Sequence, residues 1–137
     1  MSDFNDFMNQ RLEASTAFVS GDSKSLDAIA VHSDPATIFP PPGVCVEGFA
    51  AVNAGNEKGA RGFGPGSENR FDVMHSGSSG DLAYWTGVQR SVVHMADGSD
   101  PVPMDLRVTE LFRKEQGAWK LFHRHADPLK QPPPAKG

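Results

Sequence analysis

Helical periodicity occupies roughly the first sixty residues of this chain and strand periodicity roughly the last sixty, with little mixing. Phe4, Phe7, Met8, Ala14, Phe18 and Val19 recur near i, i+3/i+4 and i+7, which predicts a helix over 3–20. Ser2 or Asp3 suits its start and Gly21 its end. Ser23 opens a shorter second helix that turns Leu26, Ile29 and Ala30 inward, and GFAAVNAGNEKGA (48–60) reads as a third. Ala36–Phe39 and Val44–Glu47 read as two short strands that form a hairpin across Pro40-Pro41-Pro42-Gly43. RGFGPGSE (61–68) reads as a loop; its glycines match a phosphate-binding loop in composition only, since no Lys-Ser/Thr follows. Then the period becomes two. Arg70–His75, Leu82–Met95, Met104–Lys114 and Trp119–Ala126 are predicted strands, and Gly87 marks a bend or bulge in the second of them. Helices followed by a long meander give an α+β domain: three helices packed on a strongly curved, mostly antiparallel sheet, a cone with an internal pocket. Residues 1–127 form this single domain, and 128–137, ending in LKQPPPAKG, form a proline-rich tail expected to be disordered.

Charge and cysteine content narrow the function. Thirteen basic against seventeen acidic residues give a net charge of −4, which argues against nucleic-acid and anionic-membrane partners. No apolar run is long enough to span a bilayer, and MSDFNDFMNQ lacks the features of a secretory signal. The single cysteine, Cys45, excludes an intrachain disulfide and reads as a buried, inert thiol, so a cytoplasmic location is expected.

Glu110 is the first catalytic candidate. In MDLRVTELF, strand alternation puts Met104, Leu106, Val108, Glu110 and Phe112 on one face. A carboxyl among apolar neighbours should be desolvated and its pKa raised, as a general acid or base requires. His123 and His125 share a face of the last strand and are candidate proton shuttles; without a third ligand at the right spacing they predict no metal, and no cofactor is expected. Tyr84, with Thr86 on the same parity, is a candidate donor or pocket wall. The face taken by the last strand stays open. Trp119, Leu121, His123 and His125 form one side, and Phe122 and Arg124 the other, and a one-residue bulge would exchange them. If Arg124 points inward, it pairs with Glu110 and keeps it ionised.

SGD after the first helix, SDPATIF…PPG, VEGFAAV, GDLAYWTG and RVTELFRKEQGAWKLFHRHAD together resemble the nuclear-transport-factor-two-like superfamily, in its SnoaL-like and ketosteroid isomerase-like branch. The resemblance covers roughly residues 5–127 and implies a cystatin-like α+β barrel. It also extends to the association domain of calcium/calmodulin-dependent kinases. In ketosteroid isomerases the resemblance places a catalytic Asp where this chain has Pro40, an oxyanion Tyr at about Ala14, and an acid at Glu110. Two of three parts are missing, so steroid isomerisation is not implied. The pocket arginines of the kinase domain fall at Thr86, Glu110 and Ala126, so that anion site is not implied either.

Two readings follow. In one, a cofactor-independent enzyme of the isomerase, cyclase or dehydratase type moves a proton with Glu110, helped by Tyr84 or a histidine, in a pocket that also holds Thr86, Arg124 and Trp119. In the other, a non-catalytic module binds a small organic ligand or dimerises through the outer sheet face, anchored by Trp119 or Trp85.

Overall fold

A computed structural model describes residues 3–130, and the expected architecture is present. Helices α1 (Asp3–Phe18) and α2 (Lys24–Ile29) precede strands β1 (Thr37–Phe39) and β2 (Val46–Glu47). Helix α3 (Phe49–Ala60) follows, and then β3 (Phe63–Ser79), β4 (Leu82–Met95), β5 (Val102–Glu115) and β6 (Ala118–Pro128). One six-stranded sheet has the order β2-β1-β6-β5-β4-β3, antiparallel except where β1 lies parallel to β6. The proline turn does close a β1–β2 hairpin. Asp34 Oδ1 accepts the Phe49 N–H at 2.8 Å, so the Asp34-Pro35 turn caps the N-terminus of α3.

The period-two pattern sets the two faces of the sheet. Ala83, Trp85, Gln89, Ser91 and Val93 on β4, and Leu106, Val108, Glu110 and Phe112 on β5, point into the protein and are buried. Helix α1 lays Phe4 and Phe7 against Phe112, with Trp119 edge-on to Phe4. These aromatics are the centre of the core, and each buries about 150–250 Å².

Three expectations are corrected. The segment 61–68 is not a loop: β3 begins at Phe63, because Gly64 can lie against the Met95 backbone with no Cβ between them. The turn expected over 76–81 shrinks to Gly80-Asp81, since β3 stays paired with β4 through Ser79. Cys45 is exposed rather than buried. Ordered chain also runs past residue 127, with the Leu129 N–H donating to the Asp105 carbonyl at 2.9 Å; the tail from residue 131 lies outside the described residues.

The irregularity sensed at Gly87 is real, but the extra residue sits on its neighbour. Val73 pairs with Gly87 and His75 with Thr86, so Met74 bulges out of β3. A Cβ at Gly87 would stand 2.1 Å from the Asp72 carbonyl oxygen and 2.9 Å from the Met74 nitrogen. Gly87→Ala should therefore force the two backbones apart and lower stability by about 1–3 kcal/mol. By contrast, Gly55 lies inside α3 with open space around its Cα, so Gly55→Ala should raise stability by about 0.5–1 kcal/mol. Urea unfolding midpoints of the two variants check the pair.

Candidate functional site

A cavity of about 430 Å³ opens between the helices and the inner sheet face. Phe18, Leu26, Ile38, Val52, Leu106 and Leu121 make much of its wall, and Pro40, Pro41 and Pro42 border it. Its polar residues include Arg11, Ser15 and Arg124.

Glu110 lies beneath this polar end, fully buried and not itself part of the lining. Trp85, Glu110 and Arg124 are cross-strand neighbours on β4, β5 and β6, so one inward row brings them together. Arg11 reaches down from α1. Its Nε donates to Glu110 Oε1 at 2.9 Å and its Nη2 to Oε2 at 2.7 Å, a bidentate pair. Trp85 Nε1 donates to Oε1 at 2.7 Å, and Arg124 Nη1 to Oε2 at 2.7 Å. Four donors fill the roughly four acceptor positions that a carboxylate offers.

Those donors reverse the expected pKa. Burial raises it, but attraction to Arg11 and Arg124, with their hydrogen bonds, outweighs burial and holds the carboxyl at about 2. Glu110 is therefore a permanent anion with no lone pair to spare, rather than the poised acid read from its apolar neighbours. Burial and Arg11 pull the Arg124 pKa down while Glu110 opposes them; a guanidinium so placed stays charged. The cluster carries two positive charges and one negative, a net +1 with the carboxylate itself fully buried and Arg124 partly exposed. Arg11 Nη1 is buried without a hydrogen-bond partner, although its guanidinium lies 5.8 Å from the Phe71 ring centre. A buried donor left unmatched costs about 1–3 kcal/mol.

The other candidates separate. On β6, Leu111 pairs with His123 but Phe112 pairs with Leu121, so Phe122 is an extra residue. Before this bulge Trp119 and Leu121 face inward, and after it Arg124 and Ala126 do. Both alternatives for the last strand thus hold, each on its own side of Phe122. His123 borders the cavity, but its parity is opposite to that of Arg124. Its Nδ1 is 2.7 Å from Thr37 Oγ1, and its ring packs edge-on to Phe39. Burial, then repulsion from His125, lowers the His123 pKa against the pull of Glu110. His125 lies beside Phe39 with Nε2 3.5 Å from Asp127 Oδ2. Neither histidine bonds to Glu110. Tyr84 and Thr86 point to the outer sheet face, where Tyr84 meets His75 and Thr86 meets Thr109, so neither lines the cavity. Trp119 is core, packed on Phe4 and beneath Lys114, and Trp85 is fully buried, so neither is available as a pocket wall or as an anchor for a partner. Among the described residues, no group of three or more His, Cys, Asp or Glu side chains converges as a metal site.

Arg11 is a site residue that the apolar stripe of α1 conceals. The signal was present: Phe4, Phe7, Arg11, Ala14 and Phe18 follow one helical stripe, so a charge stands on the apolar face of α1. A charge on a buried helix face calls for an opposite charge on the facing element, and Glu110 is the matching acid on an apolar strand face.

Removing that acid should be costly. Glu110→Gln leaves two guanidinium groups sharing no counter-charge and should lower stability by about 3–5 kcal/mol. The pH dependence has a definite sign. A folded pKa of about 2 against 4.5 for the free side chain stabilises the fold above the free value, by about 3 kcal/mol, and that contribution is lost as pH falls from about 5 toward 2. Urea midpoints measured across that range should drop in the parent and drop less in Glu110→Gln.

Comparisons with known proteins agree with this architecture. Structures similar to this chain include a nuclear transport factor 2-like superfamily protein from Salmonella enterica, with TM-score 0.77, 12% identity and 98% of this chain matched to 94% of that one. A CaMKII hub homology domain from Chlamydomonas reinhardtii has TM-score 0.72 and 21% identity over 95% and 100% of the two chains. A protein with a cystatin-like fold from Caulobacter vibrioides has TM-score 0.69 and 11% identity over 93% and 87%. At these identities the likeness shows the fold alone. No curated protein matches the chain. The family model of the SnoaL-like domain matches residues 8–128, and with helices, sheet and cavity in the corresponding order the chain belongs to the SnoaL-like family.

Proposed function

We propose that this protein binds a small, largely apolar organic molecule in the cavity and does not transform it. The observation that carries the reading is the saturation of Glu110, whose four hydrogen bonds and ion pairs to Arg11 and Arg124 leave it no capacity to accept a proton near neutral pH. The cavity lining otherwise holds no carboxylate, thiol, tyrosine or lysine. His123, the histidine of the lining, has its pKa lowered chiefly by burial and is engaged with Thr37 and Phe39 on the far parity of β6. General acid–base chemistry needs a positioned group with a free lone pair or proton at the reacting atom, and this polar end offers fixed cations. An apolar hollow with a few convergent polar groups is the usual form of a small-molecule site. The unpaired, exposed Cys45 suits a reducing, cytoplasmic setting.

Native mass spectrometry of the full chain against a library of small organic molecules tests this reading. A binder should be retained and be released chemically unchanged. Val52→Trp, which fills the cavity from α3, should abolish retention with little loss of thermal stability. Release of an altered molecule would restore the enzymatic reading, and retention by Val52→Trp would place the ligand elsewhere.

We also propose that two copies associate through the sheet. Leu82 and Val92 are exposed on the outward face of β4, the face of Tyr84 and Thr86, and leave apolar surface there that a second sheet would cover. Sedimentation equilibrium should return the mass of two chains, and Val92→Asp should return the mass of one. A parent sedimenting as one chain at high concentration refutes the pairing.

A further inference from the structure

We propose that the polar end of the cavity is a cradle for a monocarboxylate, and that its third donor is the Ser15 hydroxyl, aimed by a relay of hydrogen bonds that begins at Glu110. The proposal rests on the small-molecule reading and names the ligand's chemical class.

The relay has a forced direction. An ionised carboxylate only accepts, so Arg124 must donate to it, and the same guanidinium donates from Nη2 to Gln89 Oε1 at 2.7 Å. That bond fixes the orientation of the Gln89 amide, whose Nε2 donates to Asn69 Oδ1 at 3.0 Å. Ser91 Oγ donates to the same oxygen at 2.7 Å. Asn69 is thereby held with its Nδ2 toward α1, where it donates to Ser15 Oγ at 3.0 Å and lies 3.4 Å from Thr16 Oγ1. Gln89, Ser91 and Ser15 are buried and hold the partly exposed Asn69 between them.

Ser15 is left with a proton to place. Its neighbour Thr16 donates back along the helix to the Leu12 carbonyl at 3.0 Å, while Ser15 makes no such bond among the described residues. Ser15 stands one helical turn from Arg11, so the two share a face of α1, and both line the cavity. Arg124, the more accessible of the two guanidinium groups, also lines the cavity. The guanidinium groups gathered here offer only hydrogen, and the Ser15 hydroxyl adds a proton beside them.

Such a cradle selects its ligand by chemistry. A carboxylate brings two acceptor oxygens on one carbon; a primary amide brings one acceptor and an unwanted donor; an amine brings only donors and a repelled charge. The count of charges is equally selective. Arg11 and Arg124 less Glu110 leave +1, which a monoanion neutralises. A phosphate dianion would exchange a surplus positive charge for a surplus negative one at the same partly enclosed site. The apolar walls call for a hydrocarbon or aromatic body on the acid.

Isothermal titration of the full chain with 4-phenylbutyrate and with its primary amide decides the matter. The acid should bind at least about tenfold more tightly, as charge-assisted bonds are roughly twice as strong as neutral ones. Ser15→Ala should erase several-fold of that preference, Ser15→Thr should keep it, and His125→Gln on the outer face should leave it unchanged. A parent that binds acid and amide alike overturns the cradle but leaves the small-molecule reading standing. A parent that binds neither probe overturns the cradle, and the library screen then judges the broader reading. A preference undiminished in Ser15→Ala, with the parent intact, overturns the relay-aimed donor.

Discussion

A carboxylate removed from water and clasped by two guanidinium groups organises this molecule. The interaction between Glu110, Arg11 and Arg124 joins the first helix to two strands almost a hundred residues later in the chain. Burying ions is expensive, and such a cluster contributes little net stability compared with a hydrocarbon core of the same shape. Its value lies in specification. Removing the shared carboxylate leaves both guanidinium groups without a counter-charge, so α1 is favoured at the depth and rotation that keep Arg11 on Glu110. The aromatic contacts of Phe4 and Phe7 with Phe112 supply the apolar burial, and the ion cluster fixes how they meet.

The same cluster converts a hydrophobic cone into a polarised one. Hydrogen bonds run outward from Glu110 through Trp85, Arg11 and Arg124, and then through Gln89 and Asn69 to Ser15. Each amide orientation is dictated by the one before it, so a single ionisation state deep in the core determines which atoms face the cavity. A network of this kind is stable only when every member is satisfied. The one conspicuous exception is Arg11 Nη1, closed off from solvent in a guanidinium whose carbon lies 5.8 Å from the Phe71 ring centre.

Much of the fold was legible because period-two alternation survives burial. The strand from Leu82 to Met95 matches its predicted limits, and the inward parity of Leu106, Val108, Glu110 and Phe112 follows from spacing alone. What alternation cannot carry is a change of phase. The bulge at Phe122 leaves no residue-type signature, yet it decides that Arg124 rather than His123 or His125 meets Glu110. Backbone close approach is similarly silent: Gly64 reads as loop composition but permits a strand to pass beside Met95. Arg11 was legible in principle. It stands at helical spacing among Phe4, Phe7, Ala14 and Phe18, a charge on an otherwise apolar stripe. Without Arg11 the electrostatics of Glu110 invert, because an isolated buried carboxyl is pushed up whereas one with two guanidinium partners is held down.

That inversion bears on how one scaffold can serve different ends. An acid on the inward face of a central strand, beneath a cavity, is chemically neutral as a design: its partners decide whether it moves protons or merely anchors cations. With apolar neighbours it would hold a proton near neutral pH and could donate it. With two arginines it surrenders that capacity and passes its influence outward as fixed positive charge. Under the proposed cradle, fold stability and ligand recognition would draw on the same helix. Arg11 leaves α1 to reach Glu110 and at the same time lines the cavity, so a guest seated there would press on the side chain that fixes α1 on the sheet. Binding energy gained there would be folding energy for the whole domain, because the helix that presents the donors is the helix that closes the core.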